Sequence, residues 1–412
     1  MISSDIDNRR IRVKAILAIQ TIVAFCFVVV IDLAGSAAED HAPDPAAGGL
    51  VAGDTHRSKA AKAPESKGWS YRFYLDSGYA IDANHPENGL WRSKSTTFEV
   101  DDPKVNMALA YLRKDATPRS RWGIQLGVQG GVDTKKLAPD DNEAISNADF
   151  YRHLYRANMS YLFAAGNGLE VTGGLINSYI GYESYLAIEN RNYTRGYITD
   201  NVPYFFFGAG AYYPLDRNLN LAFYAVNGWN YLANPNDQPS WGLQLKYQAS
   251  KEVTLTQNLY YGPDQEDSDL EFWRFFSDTI LEWKRDPLQL AVAFDFGTEK
   301  QAAQPGNPRD NWMAGALWAG WHVGGPWHLA LRSEFYQDPD GLITGAQQFI
   351  QAHTATLQYK FSAVEYNKTV VSLEYRFDRS TGSEGGFFKG SDNRLTPNQH
   401  LLILALMWSF GS

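Results

Sequence analysis

The stretch "TVVSLEYRFDR", Thr369 to Arg379, alternates strictly from Val371 onward. Val371, Leu373, Tyr375 and Phe377 fall on one side, and Ser372, Glu374, Arg376 and Asp378 on the other. Successive side chains of an extended strand point to opposite faces, so this is a ribbon with one apolar and one charged face. Similar ribbons recur. "WGLQLKYQA" sets Trp241, Leu243, Leu245 and Tyr247 against Gln244, Lys246 and Gln248. "LALRSEFYQD" sets Leu329, Leu331 and Phe335, with Ser333 between them, against Ala330, Arg332, Glu334 and Tyr336. In "LQLAVAFDFG", Leu288, Leu290, Val292, Phe294 and Phe296 oppose Gln289, Ala291, Ala293 and Asp295.

Such strands have two ways to close. Stacked sheets would hide the apolar faces in a core, whereas a single closed sheet could turn them outward to lipid. From Trp69 to the end, about 16 strands (roughly 14 to 18) follow one another with almost no helical periodicity. A barrel that wide cannot be filled by wall side chains alone and encloses water, which suits polar faces inside and apolar faces outside. Closure also removes unpaired strand edges, each orphan polar group of which costs several kcal/mol in lipid.

Connection lengths alternate as well. Tight turns such as "AAGNG", "PLDRN", "KRDP" and "VGGP" follow the even strands. Longer loops follow most odd strands: Asp82–Lys104, Val132–Phe150, Ser178–Val202, Asp338–Ala352 and Arg379–Asn398. The connections around Asn230–Ser240 and Pro263–Asp269 look short for this rule. The sequence therefore predicts an all-β fold: a single transmembrane antiparallel β-barrel with short periplasmic turns and long extracellular loops. Its last strand, "HLLILALMWSFGS", carries Trp408 and Phe410 on one face, an aromatic ending that resembles the signal read by the barrel-assembly machinery.

The N-terminus reads as an export signal. Arg9, Arg10, Arg12 and Lys14 precede the apolar run Ala15 to Ile31, and "GSAAED" supplies small residues for cleavage after Ala38. The expected organisation is a signal peptide over 1–38, a flexible Ala/Pro/Gly-rich segment over 39–68, and the barrel over 69–412. The sole cysteine, Cys26, lies in the leader, so the exported chain has no disulfide with which to stabilise itself. The expected location is the outer membrane of a Gram-negative bacterium, with outer-membrane lipid as surroundings.

The segment "LEVTGGLINSYIGYESYLAIENRNYTRGYITDNVPYFFFGAGAYYPLDRNLNLAFYAVNGWN" (Leu169–Asn230) is similar to the β-barrel porins of the OmpL-like group. The likeness is carried by "GYES" (Gly181–Ser184), "NYTR" (Asn192–Arg195), "YPLDRNLNL" and "AVNGWN", and extends over Trp69 to Phe410. The resemblance implies an outer-membrane barrel with a porin-like role, and brings no catalytic residues.

Chemistry-bearing patterns are sparse. The 8 His residues are scattered and the mature chain lacks Cys, so no metal and no cofactor are expected. A net charge of −9 speaks against nucleic acid. Strand parity selects Lys246, Arg332, Glu334, Glu374 and Arg376 as pore-lining candidates, and the long proline-poor loop Ser178–Asp200, able to fold into the lumen, adds Glu183 and Arg195. Rings of charged side chains tune which ions enter a pore, although opposed charges also serve simply to solvate and pair a lumen wall. Trp229, Trp241, Trp273, Trp283, Trp312, Trp321 and Trp327 near strand ends are assigned to interfacial girdles.

The function expected is passive diffusion of small hydrophilic solutes or ions, without catalysis. Three alternatives stand beside it: a barrel enzyme acting on lipid or peptide with His328 or His353, a plugged structural or adhesive barrel, and a soluble exported sandwich. Sequence alone leaves a monomer and a homo-oligomer open.

Overall fold

A computed structural model describes residues 68–137, 148–302, 304, 306, 308–364 and 367–412. The expected leader (1–38) and nearly all of the 39–68 segment lie outside these residues.

Sixteen antiparallel strands close into one barrel. In chain order they are β1 (Ser70–Asp82), β2 (Pro103–Lys114), β3 (Trp122–Gly130), β4 (Leu154–Phe163), β5 (Leu169–Asn177), β6 (Phe205–Pro214), β7 (Leu219–Val226) and β8 (Ser240–Gln248). There follow β9 (Val253–Pro263), β10 (Trp273–Arg285), β11 (Leu288–Lys300), β12 (Arg309–Gly324), β13 (Trp327–Asp338), β14 (Gln348–Val364) and β15 (Asn367–Thr381). A small hairpin, β16 (Phe387–Lys389) with β17 (Arg394–Thr396), decorates the last long loop, and β18 (Asn398–Gly411) closes on β1. Arg72 pairs Gly411 and Asp82 pairs Leu401 along that seam, so no strand edge is left open.

The faces are sorted as alternation demands. On β15, Leu373 and Tyr375 are 47% and 49% exposed, while Glu374 and Arg376, alternating with them, are fully buried inside the barrel. On β18, Leu402, Leu404, Leu406, Trp408 and Phe410 face outward, and Leu401, Ile403, Ala405 and Met407 face inward. The outward band is apolar because its solvent is hydrocarbon, which offers a backbone no alternative hydrogen-bond partner. Soluble packing of the apolar faces is thereby excluded.

Short connections of two to seven residues join the ends of β2, β4, β6, β8, β10, β12 and β14 to their successors. The opposite end carries loops of eight to twenty-seven residues. The connections that looked short in the sequence, 227–239 and 264–272, belong to this long-loop end. With an even strand number, the N-terminal end of β1 and the C-terminal end of β18 meet at the short-turn, periplasmic end. There Ser412 and Tyr71 exchange backbone hydrogen bonds of 3.1 and 3.2 Å.

Aromatics ring that periplasmic edge. Trp69 meets Trp122 edge-on at 6.1 Å, Trp327 meets Tyr359 at 4.8 Å, and Trp408 stacks on Phe410 at 6.1 Å. Trp241, Trp321 and Trp327 point outward, as a girdle requires. Trp229 and Trp312 do not. Both are buried inside the barrel, each packed on Phe276, with the Arg274 guanidinium 5.2 and 5.7 Å from their rings. Trp312 sits at an inward position of β12, against which Gly297 of β11 leaves room by having no side chain. Position near a strand end is thus not enough: parity turns Trp312 inward, and the β7–β8 loop carries Trp229 into the barrel.

Leu404 occupies the middle of the outward face of β18. Leu404→Arg should cost about 2–4 kcal/mol in urea unfolding of the lipid-embedded protein, the penalty of a charge at the bilayer midplane. A change below 0.5 kcal/mol would contradict the assignment of this face to lipid.

Candidate functional site

The loop between β5 and β6, residues 178–204, folds into the lumen. It contains a 3-10 turn, Ala187–Glu189, and a single helical turn, Tyr197–Asp200. Its tip is the "NYTR" stretch: Asn192, Tyr193, Thr194 and Arg195 are all buried. Two inward glycines admit the loop. A Cβ on Gly78 of β1 would lie 2.6 Å from the Tyr193 hydroxyl, and one on Gly242 of β8 would collide with the Tyr179 ring.

Six of the seven sequence-selected residues belong to the contact between this loop and the wall. Arg332 of β13 donates to Glu183 at 2.7 Å and to the Thr194 carbonyl at 2.5 Å. Its Nε also lies 3.3 Å from Glu334, which the Arg376 guanidinium approaches at the same distance. Arg376 of β15 pairs with Asp378 at 2.7 Å and donates to the Arg195 carbonyl at 3.0 Å. Among the described residues Glu374 pairs with no cation. It accepts from the backbone N–H groups of Tyr193 (2.7 Å) and Thr194 (3.1 Å), the Thr194 hydroxyl, and the Thr356 hydroxyl at 2.6 Å. Lys246 stands apart, half-buried on β8 near the periplasmic end.

The carboxylates around Arg332 and Arg376 outnumber the guanidiniums. Buried charges persist only when paired or hydrogen-bonded, and the backbone N–H groups of the loop supply what cations do not. Glu183 illustrates the balance. Burial raises its pKa, but Arg332, the Gly196 N–H (2.7 Å) and the Thr199 hydroxyl (2.8 Å) outweigh burial and hold it below the ordinary value. The loop is thus bound by interactions that exist only when its backbone lies against β13 and β15.

Other residues complete the contact. Tyr193 donates to Asp76 of β1 at 2.8 Å and accepts from Asn106 of β2 at 2.7 Å. Tyr197 donates to Asp378 at 2.9 Å. From the β1–β2 loop, Trp91 donates to the Tyr197 hydroxyl at 3.0 Å, and Lys94 forms a buried pair with Asp200. Parity marks Asp76 and Asp378 as inward from sequence. Parity does not mark Trp91 and Lys94, whose role appears only when two long loops meet, nor Tyr193, whose role appears only when its loop docks on β1 and β2.

At that meeting, Asp133 of the β3–β4 loop accepts from the Thr97 N–H at 2.7 Å and lies 3.7 Å from Arg195. Burial, with help from Asp76 and Asp200 and against Arg195, raises its pKa to about 7.

The two candidate histidines occupy unlike places. His328 faces the lumen at the periplasmic end, its Nδ1 3.3 Å from the Pro326 carbonyl. His353 is on the lipid face, 3.0 Å from the Ser333 hydroxyl. Among the described residues, no carboxylate bonds His353 to orient it as a base, and no group of three or more His, Cys, Asp or Glu could hold a metal.

A closed barrel with an apolar exterior, a polar lumen, short periplasmic turns and an inward-folded loop defines the porin class of outer-membrane protein. The family described as "Putative beta-barrel porin-2, OmpL-like" matches residues 71–410, and the chain belongs to it. Among solved structures, the trimer form of in-vitro folded OmpT of Vibrio cholerae is similar at 9% identity and a TM-score of 0.51, covering 83% of this chain and 99% of that one. OmpT expressed in the outer membrane of the same organism is similar at 11% identity and a TM-score of 0.50, covering 84% and 99%. An anion-selective porin from Comamonas acidovorans gives 12% identity and a TM-score of 0.49, covering 83% and 99%. At such identities the likeness concerns the fold. No curated protein matches the chain.

Arg332→Ala should leave Glu183 without its guanidinium and Glu334 with that of Arg376 alone, and cost about 3–5 kcal/mol, the loss expected on breaking a buried pair. It should also admit protease to residues 178–204. Loss of stability without new cleavage there would show that Arg332 does not hold the loop.

The Asp133 carboxyl binds its proton more tightly in the fold than at its ordinary 3.8. Its contribution to stability is therefore complete below about 4 and is lost as pH rises through about 7. Between these values the urea midpoint of the native protein should fall more steeply than that of Asp133→Asn. Parallel slopes would refute the assignment.

Proposed function

We propose that this outer-membrane porin lets small hydrophilic solutes or ions cross by diffusion, with the loop over 178–204 setting the calibre of the lumen. The observation that carries this reading is the pairing of an apolar exterior with a charged interior in one closed sheet. The candidate charges then act first as anchors: Arg332, Glu334, Glu374 and Arg376 fix the loop, and Glu183 and Arg195 belong to it. Solutes meet the surface that this network leaves exposed, not a free ring of charges.

The reading extends to the rest of the chain. A leader over 1–38 is cleaved, 39–68 tethers, and 69–412 inserts as a barrel. Trp408 and Phe410 give the insertion machinery an aromatic final strand. The chain performs no reaction, and a homo-oligomer is compatible with the trimer form of the Vibrio relative. A plugged structural barrel is the second reading, favoured by the burial of nearly every inward side chain at mid-height.

Planar-bilayer recording separates the two. The native protein should give small, resolved conductance steps. Replacing residues 184–199 by a short Gly–Ser linker should enlarge them severalfold. No steps from either protein would favour the plug, and equal steps would remove the loop from the role of constriction.

A further inference from the structure

Inward-facing charges are not evenly distributed along the barrel. At the extracellular ends of the strands stand Asp82 (β1), Glu299 (β11), Asp310 (β12) and Asp338 (β13), with Arg274 (β10) among them. At the periplasmic ends stand Arg72 (β1), Lys246 (β8), Lys284 (β10), Lys360 (β14) and Lys368 (β15). The loop adds Arg191, which donates to the Tyr182 hydroxyl at 2.6 Å and to Gln289 of β11.

Inward acids at this end are fewer, and two of them are already engaged. Glu189 is shared by Arg72 and Lys368, the latter at 2.7 Å, and Glu282 pairs with Lys284 at 2.6 Å. Glu170 of β5 lies across the opening, beside Tyr212. Lys246 and Lys360 have no side-chain hydrogen bond or ion pair among the described residues. Unlike the charges at mid-height, Arg191, Lys246, Lys284, Lys360 and Lys368 are only half-buried, so they border water. The basic side chains form an arc from β8 through β15 to β1.

A cleft lined by one sign of charge between low-dielectric walls focuses its field and concentrates counter-ions. Rings of Lys and Arg do this for anions and phosphates. We propose that the periplasmic opening of the lumen is an oxyanion-collecting vestibule, selecting small carboxylates and phosphates through Lys246, Lys360 and the neighbouring arc. This deepens the channel reading, and its consequence for transport rests on that reading. Because Lys246 and Lys360 are not consumed by wall acids, they are free to meet a mobile anion. Field and not shape does the selecting, so the effect is short-ranged: a Debye length is about 8 Å at physiological ionic strength.

Thiol chemistry tests the field without requiring conduction. Cys26 is replaced by Ser, and His328→Cys, lumenal and close to Lys360, serves as reporter in the detergent-solubilised full chain. At low salt, a sulfonate-bearing methanethiosulfonate should react about tenfold faster than its trimethylammonium counterpart. The ratio should fall toward one in Lys246→Gln/Lys360→Gln and in high salt. Equal rates in the native background, or faster reaction of the cationic reagent, would overturn the proposal. So would a ratio untouched by the double substitution. In bilayers under a KCl gradient, the reversal potential should favour chloride and shift toward potassium in the double variant. Absence of any conductance would sink the channel reading, and the thiol ratio would still decide the vestibule.

Discussion

Every feature of this protein depends on the satisfaction of backbone hydrogen bonds where water is absent. A strand in hydrocarbon that lacks a neighbour exposes N–H and C=O groups with nothing to bond them, at several kcal/mol each. The pairing of β1 with β18 removes the last such edge. Once the sheet is closed, alternation becomes obligatory, because each strand has one face in lipid and one in the lumen. Leu373 and Glu374 are neighbours in sequence and occupy opposite solvents for this reason.

Closure leaves an interior too wide for wall side chains to fill, and the loop over 178–204 occupies part of it. Docking that loop means burying charges, which is costly unless each is compensated. The solution combines guanidiniums with backbone donors. Arg332 and Arg376 carry charge pairing, while Glu374 binds two N–H groups that belong to Tyr193 and Thr194. Since those donors are presented only by the docked backbone, the network is specific to one loop conformation. A purely apolar contact would hold the loop but would tolerate sliding.

Much of the fold was legible because period-two alternation is a local signal. The faces of Leu329–Asp338 and of Thr369–Arg379 can be read residue by residue, and sorting of loop lengths gives the orientation. Three things were not legible. The first is the direction of tryptophans near strand ends: position alone assigns Trp312 to a girdle, although its parity with Ala314 and Ala316 places it inside. The second is the partner of each inward charge. Glu183 and Arg332 are 149 residues apart in sequence and meet only because a loop re-enters the barrel. Lys94 and Trp91 were invisible for the same reason, as contacts between two loops leave no periodic trace. The β16–β17 hairpin, three residues per strand, is too short to show a period at all.

The distinction between composition and placement bears directly on permeation. A net charge of −9 points to a mild preference for cations if it is spread over the whole molecule. A solute samples only the charges within about a Debye length of its path. Carboxylates buried under the loop bind guanidiniums and N–H groups, so their charge is largely cancelled at short range. The acids at the extracellular ends are themselves buried, Glu299 against Arg274 and Asp338 under the N–H groups of Leu342, Ile343 and Thr344, whereas the half-buried lysines face entry from the periplasm. A lumen acidic at one end and basic at the other presents different fields to the two directions of approach. Its net charge therefore does not define its selectivity; the residues that border water do, and along the β8-to-β1 arc of the periplasmic end these include Lys246 and Lys360.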